Sequence, residues 1–193
     1  MRYPPEHKER TRQKIVHAAS RSFRGAGADV AIGDLMRELK LTHGGFYRHF
    51  RDKEELFNEA FAASVEHATA RLVAVAQAAP QGREAEAIVN FYLSGGHCAN
   101  AAEGCPIAAL ATEMGRHPQS SRQGFDRLLR SVGAAFARWM PGESERERRQ
   151  TAMVLFASMA GALNVARAVA DESLRRTILG QARSFCLRAL DRA

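Results

Sequence analysis

Apolar side chains recur along this chain at three- and four-residue intervals, the spacing that places them on one face of an α-helix. No stretch alternates apolar and polar positions as a half-buried strand does. Prolines at 80, 106, 118 and 141 separate the later periodic segments, because proline interrupts a helix. The pattern therefore predicts an all-α protein of about nine helices, at approximately 9–24, 32–39, 43–50, 53–78, 84–93, 106–115, 122–140, 144–170 and 171–190.

Three of the predicted helices begin at residues suited to capping. Asp52 with Glu55 and Ser144 with Glu147 have the spacing of a capping box, in which each side chain accepts a hydrogen bond from the other residue's backbone amide. Asp171 is placed to cap the last helix in the simpler way, through its side chain alone. These residues predict where the fourth, eighth and ninth helices start.

The second and third predicted helices are short and are joined at Lys40-Leu41-Thr42, where Thr42 can serve as an N-cap. Two short helices around a tight turn are typical of a helix-turn-helix, whose second helix enters the DNA major groove N-terminus first. Gly44 and Gly45 fall in the first turn of that helix, although each interior glycine costs about 1 kcal/mol relative to alanine. A backbone without Cβ atoms can approach DNA closely, which accounts for the pair. The alternative is that Gly-Gly is a loop and the aromatic residues beside it are core.

Side chains suited to DNA contact surround these glycines. Tyr47 and His49 can donate hydrogen bonds to phosphates, and His43 is expected nearest the bases. Lys53 adds a positive charge beside the free amides at the start of the fourth helix. The predicted DNA-binding residues are Thr42, His43, Gly44, Gly45, Tyr47, Arg48, His49 and Lys53.

The charge of the chain is concentrated at the same end. The net charge is +7, and residues 1–51 contain eleven Lys/Arg against five Asp/Glu, so this quarter carries nearly all of it. Such an imbalance indicates a polyanionic partner. A membrane surface would instead favour basic residues along an amphipathic helix, so DNA is the expected partner and a membrane is not.

Residues from about 8 to 60 resemble the DNA-binding domain of the tetracycline-repressor (TetR/AcrR) family of bacterial transcriptional regulators. The resemblance is carried by TRQKIVHAASRSFRGAG and by IGDLMRELKLTHGGFYRHFRDKEEL, with FYRHF followed by DKEEL as its most specific part. It implies a homodimeric repressor of a palindromic double-stranded DNA operator, released by a small-molecule effector. It also implies a helix-turn-helix domain at 1–60 and a ligand-sensing and dimerisation domain at 61–193.

Two positions depart from the family pattern. The turn of the helix-turn-helix usually has glycine where this chain has Lys40, so a strained or differently shaped turn is expected. The second helix usually begins at Ser or Thr, whereas here Ala31 occupies that position and Asp29 is the alternative cap. Both departures concern local geometry.

Neither a metal site nor a cofactor site is predicted. His97, Cys98, Cys105 and His117 match no common zinc spacing, and no phosphate-binding loop or catalytic serine motif is present, so an enzyme is not expected. Three cysteines without a tight framework indicate a reducing compartment. The apolar run 152–166 is shorter than the ~20 residues of a membrane span, and the N-terminus lacks the apolar stretch of a signal peptide. A cytoplasmic protein is expected.

A cysteine and several apolar residues are candidates for effector sensing. Cys105 precedes Pro106 at a predicted helix start, where amide dipoles favour a thiolate, and Gly104-Cys105-Pro106-Ile107 is similar to a Gly-Cys stretch in some family branches. The alternative is an inert buried thiol. A rival from another class is a thiol-dependent enzyme or redox protein that uses Cys105 without binding specific DNA. The predicted effector residues, which could equally pack the core, are Cys105, Met114, Phe125, Phe156 and Met159.

The last two predicted helices are candidates for the dimer interface. The segment 152–170 is apolar nearly all round, so it needs burial on two sides, and Gly161 with several alanines permits close helix approach. The predicted interface residues are Gly161, Leu163, Ile178 and Phe185.

Overall fold

The computed structural model describes residues 5–191, and within this range the regular structure is entirely helical, as the spacing predicts. Ten α-helices follow one another there, together with a short 3₁₀ turn at Ala137–Trp139. Their bounds are α1 Pro5–Ala26, α2 Ile32–Glu38, α3 His43–Phe46, α4 Lys53–Gln77, α5 Glu84–Tyr92, α6 Gly95–Ala99, α7 Pro106–Met114, α8 Gln119–Phe136, α9 Glu145–Ala168 and α10 Glu172–Asp191.

Two short helices differ from the prediction. The additional helix, α6, begins at two glycines that the sequence pattern treats as a break, and the Ser94 hydroxyl caps it by accepting a hydrogen bond from the His97 amide at 3.1 Å. Helix α3 ends at Phe46, and Tyr47 occupies its C-cap position. The chain then continues through turns to Phe50, so the predicted helix 43–50 is only half formed.

The capping residues act largely as expected. Ser144 and Glu147 form the reciprocal capping box that opens α9. Asp52 caps α4 through the amide of Glu55 at 2.8 Å, but the Glu55 carboxylate accepts from the amide of Arg51 instead of that of Asp52. Asp171 accepts from the Leu174 amide at 2.8 Å.

Helices α1 to α3 pack around one apolar core at the N-terminal end. Ile15, Phe23, Met36, Phe46 and Phe50 are each at most 2% exposed. Burying side chains of this size stabilises a fold by about 1.5–3 kcal/mol each. This core fixes α2 and α3 on the first half of α4.

Arg12 ties α1 to the segment after α3. Its guanidinium lies 4.2 Å from the centre of the Phe50 ring and donates hydrogen bonds to Glu55, to Glu59 and to the carbonyl of His49. These two carboxylates raise the pKa of Arg12, and the hydrogen bond that Arg12 donates to Glu59 is the largest cause. The positive charge of Arg12 is therefore paired with carboxylates within the protein.

Helix α4 runs from the helix-turn-helix into the C-terminal half, where it packs on α5, α7 and α8. The predicted boundary at residue 60 lies inside this helix, so the two parts share α4 as a continuous element. A division at residue 60 stays a prediction. Helix α9 packs between α8 and α10.

Helix α9 is longer than the apolar run within it. Over Glu145–Ala168 it is long and apolar enough to cross a membrane, judged by length and composition alone, so the expectation that this region is too short was wrong. The same test is passed by core helices of soluble proteins, and one buried side of α9 packs in the core through Leu155, Met159 and Leu163. The helix is weak evidence for a membrane.

Candidate functional site

The turn between α2 and α3 contains the strain that the sequence predicts. Lys40 has a φ of 57°, and no other non-glycine residue in the described part of the chain has a positive φ. A side chain in this left-handed conformation costs roughly 1–2 kcal/mol. The conformation allows the Leu41 amide to donate to the carbonyl of Met36 at 2.8 Å. The turn therefore keeps its geometry without glycine.

The predicted N-caps of α3 and α2 have different outcomes. Thr42 caps α3, as predicted, because its hydroxyl accepts a hydrogen bond from the Gly45 amide at 3.2 Å. Ala31 occupies the N-cap position of α2, with no side chain able to cap. Asp29 is therefore not the N-cap residue, and α2 begins without that stabilisation.

The glycine pair has one open and one packed member. A Cβ atom on Gly44 would have no neighbour within 4 Å, whereas one on Gly45 would lie 3.3 Å from the Thr42 hydroxyl oxygen. Gly44 is also exposed. Nothing inside the described protein therefore requires glycine at position 44.

The polar side chains around Gly44 form an exposed surface above a buried aromatic base. Tyr47 is 61% exposed and stacks on the ring of His43, with 5.9 Å between the ring centres. Beneath them, Phe46 is fully buried and contacts the edge of Tyr47. Arg48 is exposed beside them. We call residues 42–48 the recognition segment.

His49 is less accessible than the sequence pattern predicts. Its side chain is half-buried, and Nδ1 is buried without a hydrogen-bond partner. Burial, followed by the charges of Lys8 and Arg12, lowers the pKa of His49, so its ring is neutral at neutral pH.

Lys53 and Arg48 are the predicted DNA-binding residues that hold a full positive charge. Within residues 5–191 neither forms an ion pair, whereas Arg51 is paired with Asp52 at 3.0 Å. Lys53 is the first residue of α4, beside backbone amides that have no partner within the helix. Helix N-termini of this kind attract phosphate.

The C-terminal half contains an open apolar groove of about 650 Å³ between α7, α8 and α9. We call it the groove. Its lining includes two predicted effector residues, Phe125 and Phe156, together with residues that the sequence did not single out, such as Leu129, Val132 and Asn164. Among the residues described, none that lines it is charged.

Three predicted effector residues do not line the groove. Met114 and Met159 are at most 3% exposed and pack in the core, because each lies on the inner side of its helix. Cys105 is 6% exposed and lies beside a separate small crevice. A role for the two methionines as groove residues is therefore corrected to core packing.

Cys105 is the N-cap residue of α7, as predicted, in a buried polar cluster. Its amide donates to His97 Nε2 at 3.2 Å, while His97 Nδ1 lies 2.6 Å from the carbonyl of Tyr92. The fully buried Tyr92 hydroxyl has no hydrogen-bond partner, and the Cys105 thiol lies beside it. Burial, followed by the neighbouring thiol, raises the pKa of Tyr92, and burial lowers that of His97.

The outer side of α9 and α10 exposes apolar residues. On α9 these recur as Val154, Ala157, Gly161 and Val165, which also line the groove, and a Cβ on Gly161 would meet nothing within 4 Å. On α10, Phe185 is 60% exposed. We call this surface the outer stripe; it also includes Leu174 and Ile178.

One predicted interface residue does not belong to the outer stripe. Leu163 is fully buried within its own chain, because it lies on the opposite side of α9 from Gly161. It cannot contact a second copy without unfolding the core. Gly161 and Phe185 are exposed, and Ile178 is half-buried.

Comparisons with known proteins agree with this architecture. The sequence model of a family described as bacterial regulatory proteins, tetR family, matches residues 15–60. No curated protein sequence matches the chain.

Several solved structures have the same fold over nearly the whole chain. A TetR-family transcriptional regulator from Cytophaga hutchinsonii is 19% identical, with a TM-score of 0.77 and coverage of 96% of this chain and 98% of the other. A TetR transcriptional regulator from Chloroflexus aurantiacus is 22% identical, with a TM-score of 0.77 and 97% coverage of both. Escherichia coli NemR in its reduced form is 21% identical, with a TM-score of 0.72 and coverage of 92% and 96%.

The matched segment 15–60 contains α2, the strained turn, the recognition segment and the start of α4. The remaining helices follow the order and packing of the solved regulators. Residues 15–60 therefore match the tetR family of bacterial regulatory proteins, and the chain has the fold of the solved regulators over nearly its whole length.

Proposed function

We propose that this protein is a cytoplasmic homodimeric repressor that binds a palindromic operator and is released by a small-molecule effector. The observation that carries the DNA-binding part is the recognition segment. There, exposed His43, Tyr47 and Arg48 surround an open Gly44, next to the unpaired Lys53. Exposed hydrogen-bond donors around a helix N-terminus without bulky side chains suit entry into a major groove.

Phosphate and base contacts can be separated by their dependence on salt. We expect Tyr47→Phe and Lys53→Ala to weaken binding to all DNA sequences. Lys53→Ala also lowers the slope of log K against log salt by about one, because one fewer counterion is released. His43→Ala instead reduces the preference for operator over random DNA. Titrations by fluorescence anisotropy at several salt concentrations, on operator selected from a random pool, measure both quantities. An unchanged slope for Lys53→Ala, with unchanged affinity for Tyr47→Phe, contradicts the assignment.

The outer stripe supports the homodimer. Val154, Gly161, Val165 and Phe185 are apolar or small and lie exposed on two adjacent helices. Two copies of such a surface, related by a twofold axis, would bury each other in a four-helix interface. Gly161 and the neighbouring Ala157 allow the backbones to approach closely.

The groove supports a neutral, largely apolar effector. A volume of about 650 Å³ is that of a small-molecule site. An ionised ligand placed there would lose its hydration without a charged partner, which is costly. Asn164 already donates to the carbonyl of Ala108 at 2.8 Å, which leaves its side-chain oxygen as an acceptor for a hydroxyl or amide of the ligand.

Release would follow from a change in the separation of the two recognition segments. Two half-sites about 34–36 Å apart must be reached at once. Helix α4 connects each recognition segment to the helices that form the groove. An effector that binds the mismatched arrangement more tightly shifts the population towards it, by no more than its differential affinity.

Thiol chemistry at Cys105 is a second candidate trigger. It is favoured by the N-cap position of Cys105 and by the unpartnered Tyr92 hydroxyl beside it. The structure of NemR in its reduced form among the similar folds is a further reason to test it. Addition of Sγ to a ring carbon of a quinone, with the thiol proton passing to the quinone, would place an adduct beneath α7.

The test of this trigger uses 1,4-benzoquinone on the operator complex. If Cys105 is the trigger, Cys105→Ser resists release at doses that release the wild type. Resistance of Cys98→Ser as well would show that a second thiol takes part. Equal release of Cys105→Ser and wild type makes the thiol structural. The rival thiol-dependent enzyme predicts turnover of the electrophile and no preference for any DNA sequence.

A further inference from the structure

Two carboxylates join the DNA-binding part to the turn between α7 and α8, residues 115–118. Glu113, in the last turn of α7, accepts a hydrogen bond at 2.6 Å from the amide of Ala28, in the connection between α1 and α2. Glu54, in the first turn of α4, lies 2.9 Å from His117 Nδ1 and accepts a hydrogen bond from the Ser121 hydroxyl. The end of α7 and the turn that follows it are therefore attached at two separate points.

The contacts of Glu54 are held in a largely buried setting. Ser121 is 3% exposed, and its hydroxyl also accepts a hydrogen bond from the Asn58 side chain at 2.9 Å. The His117 ring stacks on Phe57 with 4.2 Å between ring centres. Breaking a hydrogen bond to a buried group leaves it unsatisfied, at a cost of about 1–3 kcal/mol. The hydrogen bonds of Glu54 are therefore formed in one well-defined arrangement, and breaking them is costly.

The same turn connects two of the helices that form the groove. Ile107 and Ala111 line the groove from α7, and Phe125 and Leu129 line it from α8. A molecule that separates these helices must move the turn between them. Glu54 contacts this turn and follows Lys53 directly in the chain. Movement of the turn therefore reaches the first turn of α4, close to the predicted DNA contacts.

We propose that Glu54, Glu113, His117 and Ser121 form a latch that transmits occupancy of the groove to the recognition segment; the inference rests on the function proposed above. With the groove empty, the latch holds the first turn of α4 against α8. Filling the groove spreads α7 from α8, withdraws His117 and Ser121 from Glu54, and lets α4 change direction. The latch carries the coupling free energy between the two sites, which acts equally in both directions.

The experiment measures this coupling directly. The probe is N-phenyl-1-naphthylamine, a neutral fluorescent aromatic amine, and its Kd is determined with and without saturating operator selected from a random pool. We expect operator to raise the wild-type probe Kd by about tenfold. In Glu54→Ala the ratio falls close to one, and the probe Kd of the free protein falls below that of the wild type, because filling the groove no longer breaks the latch. Glu86→Gln, which removes the exposed ion pair with Arg83 at 2.6 Å, is the matched control and keeps the wild-type ratio.

Each outcome decides between the latch and the proposed function. A wild-type ratio above one that persists in Glu54→Ala overturns the latch alone. A wild-type ratio of one shows that the groove is not coupled to DNA and overturns the proposed effector site as well. A loss of coupling in Glu86→Gln equal to that in Glu54→Ala also overturns the latch. Should Glu54→Ala fail to fold, Ser121→Ala removes one hydrogen bond to the same carboxylate, and its ratio decides in the same way.

Discussion

Replacing Gly161 by arginine is expected to give a folded monomer that has lost most of its operator affinity. Position 161 is exposed in one protomer, and a Cβ there meets nothing within 4 Å. Arginine also favours a helix over glycine by about 0.8 kcal/mol, so the protomer itself is not weakened. In the proposed dimer the same side chain places an unpaired charge between two helices, at a cost of about 3–5 kcal/mol. Without the second copy, the gain from binding two half-sites at once, about 10²–10⁴-fold, disappears.

Sedimentation velocity and circular dichroism distinguish this result from unfolding. Ser184→Arg is the matched control, because it places the same side chain on an exposed flank of α10, about 100° around the helix from Phe185. That variant is expected to remain a dimer with wild-type helix content. A Gly161→Arg protein that sediments as a dimer and binds operator normally would place the interface on another surface.

The long helices were predictable from sequence because their local signals agree. Apolar spacing, proline breaks and the caps at Asp52, Ser144 and Asp171 all point to the same starts, and the structure has helices there. The short elements were harder. Helix α6 begins at two glycines, and its one stabilising signal is Ser94, while α3 ends at Phe46 because the backbone turns to bury Phe50.

The direction in which a side chain points on an all-apolar helix was not predictable. Spacing alone cannot distinguish the two sides of α9, so it predicts Leu163 at the interface although this residue faces the protein's own core. For the same reason spacing leaves open whether Met159 lines a cavity or packs the core, and the structure has it in the core. The helices that pack against α9 decide which of its sides is buried, and those contacts join residues far apart in the chain.

Polar contacts between distant residues gave no sequence signal. Arg12 with Glu59, and Glu54 with His117, are separated by tens of residues and have no local spacing. The DNA-binding residues were easier to nominate, since they lie within one short segment with a turn, an N-cap and two glycines. Their individual roles stay predictions, and the open environment of Gly44 gives the sharpest way to examine them.

Gly44→Leu is expected to abolish specific operator binding while leaving the protein at least as stable as the wild type. The position is open and exposed, and leucine favours a helix over glycine by about 0.8 kcal/mol, so the midpoint of thermal unfolding should stay the same or rise. If the α3 backbone lies against the base edges, four added carbons hold it away, and the base contacts are lost together. Specific affinity then falls by at least about a hundredfold towards the non-specific level.

Gly25→Leu, the same change at an exposed and equally open site near the end of α1, is the control and keeps wild-type affinity. Anisotropy titrations with operator and random DNA, beside thermal unfolding, measure both effects. The leucine side chain has no protein pocket to enter and must point outward. Wild-type operator affinity in Gly44→Leu would therefore mean that the N-terminus of α3 does not enter the DNA major groove.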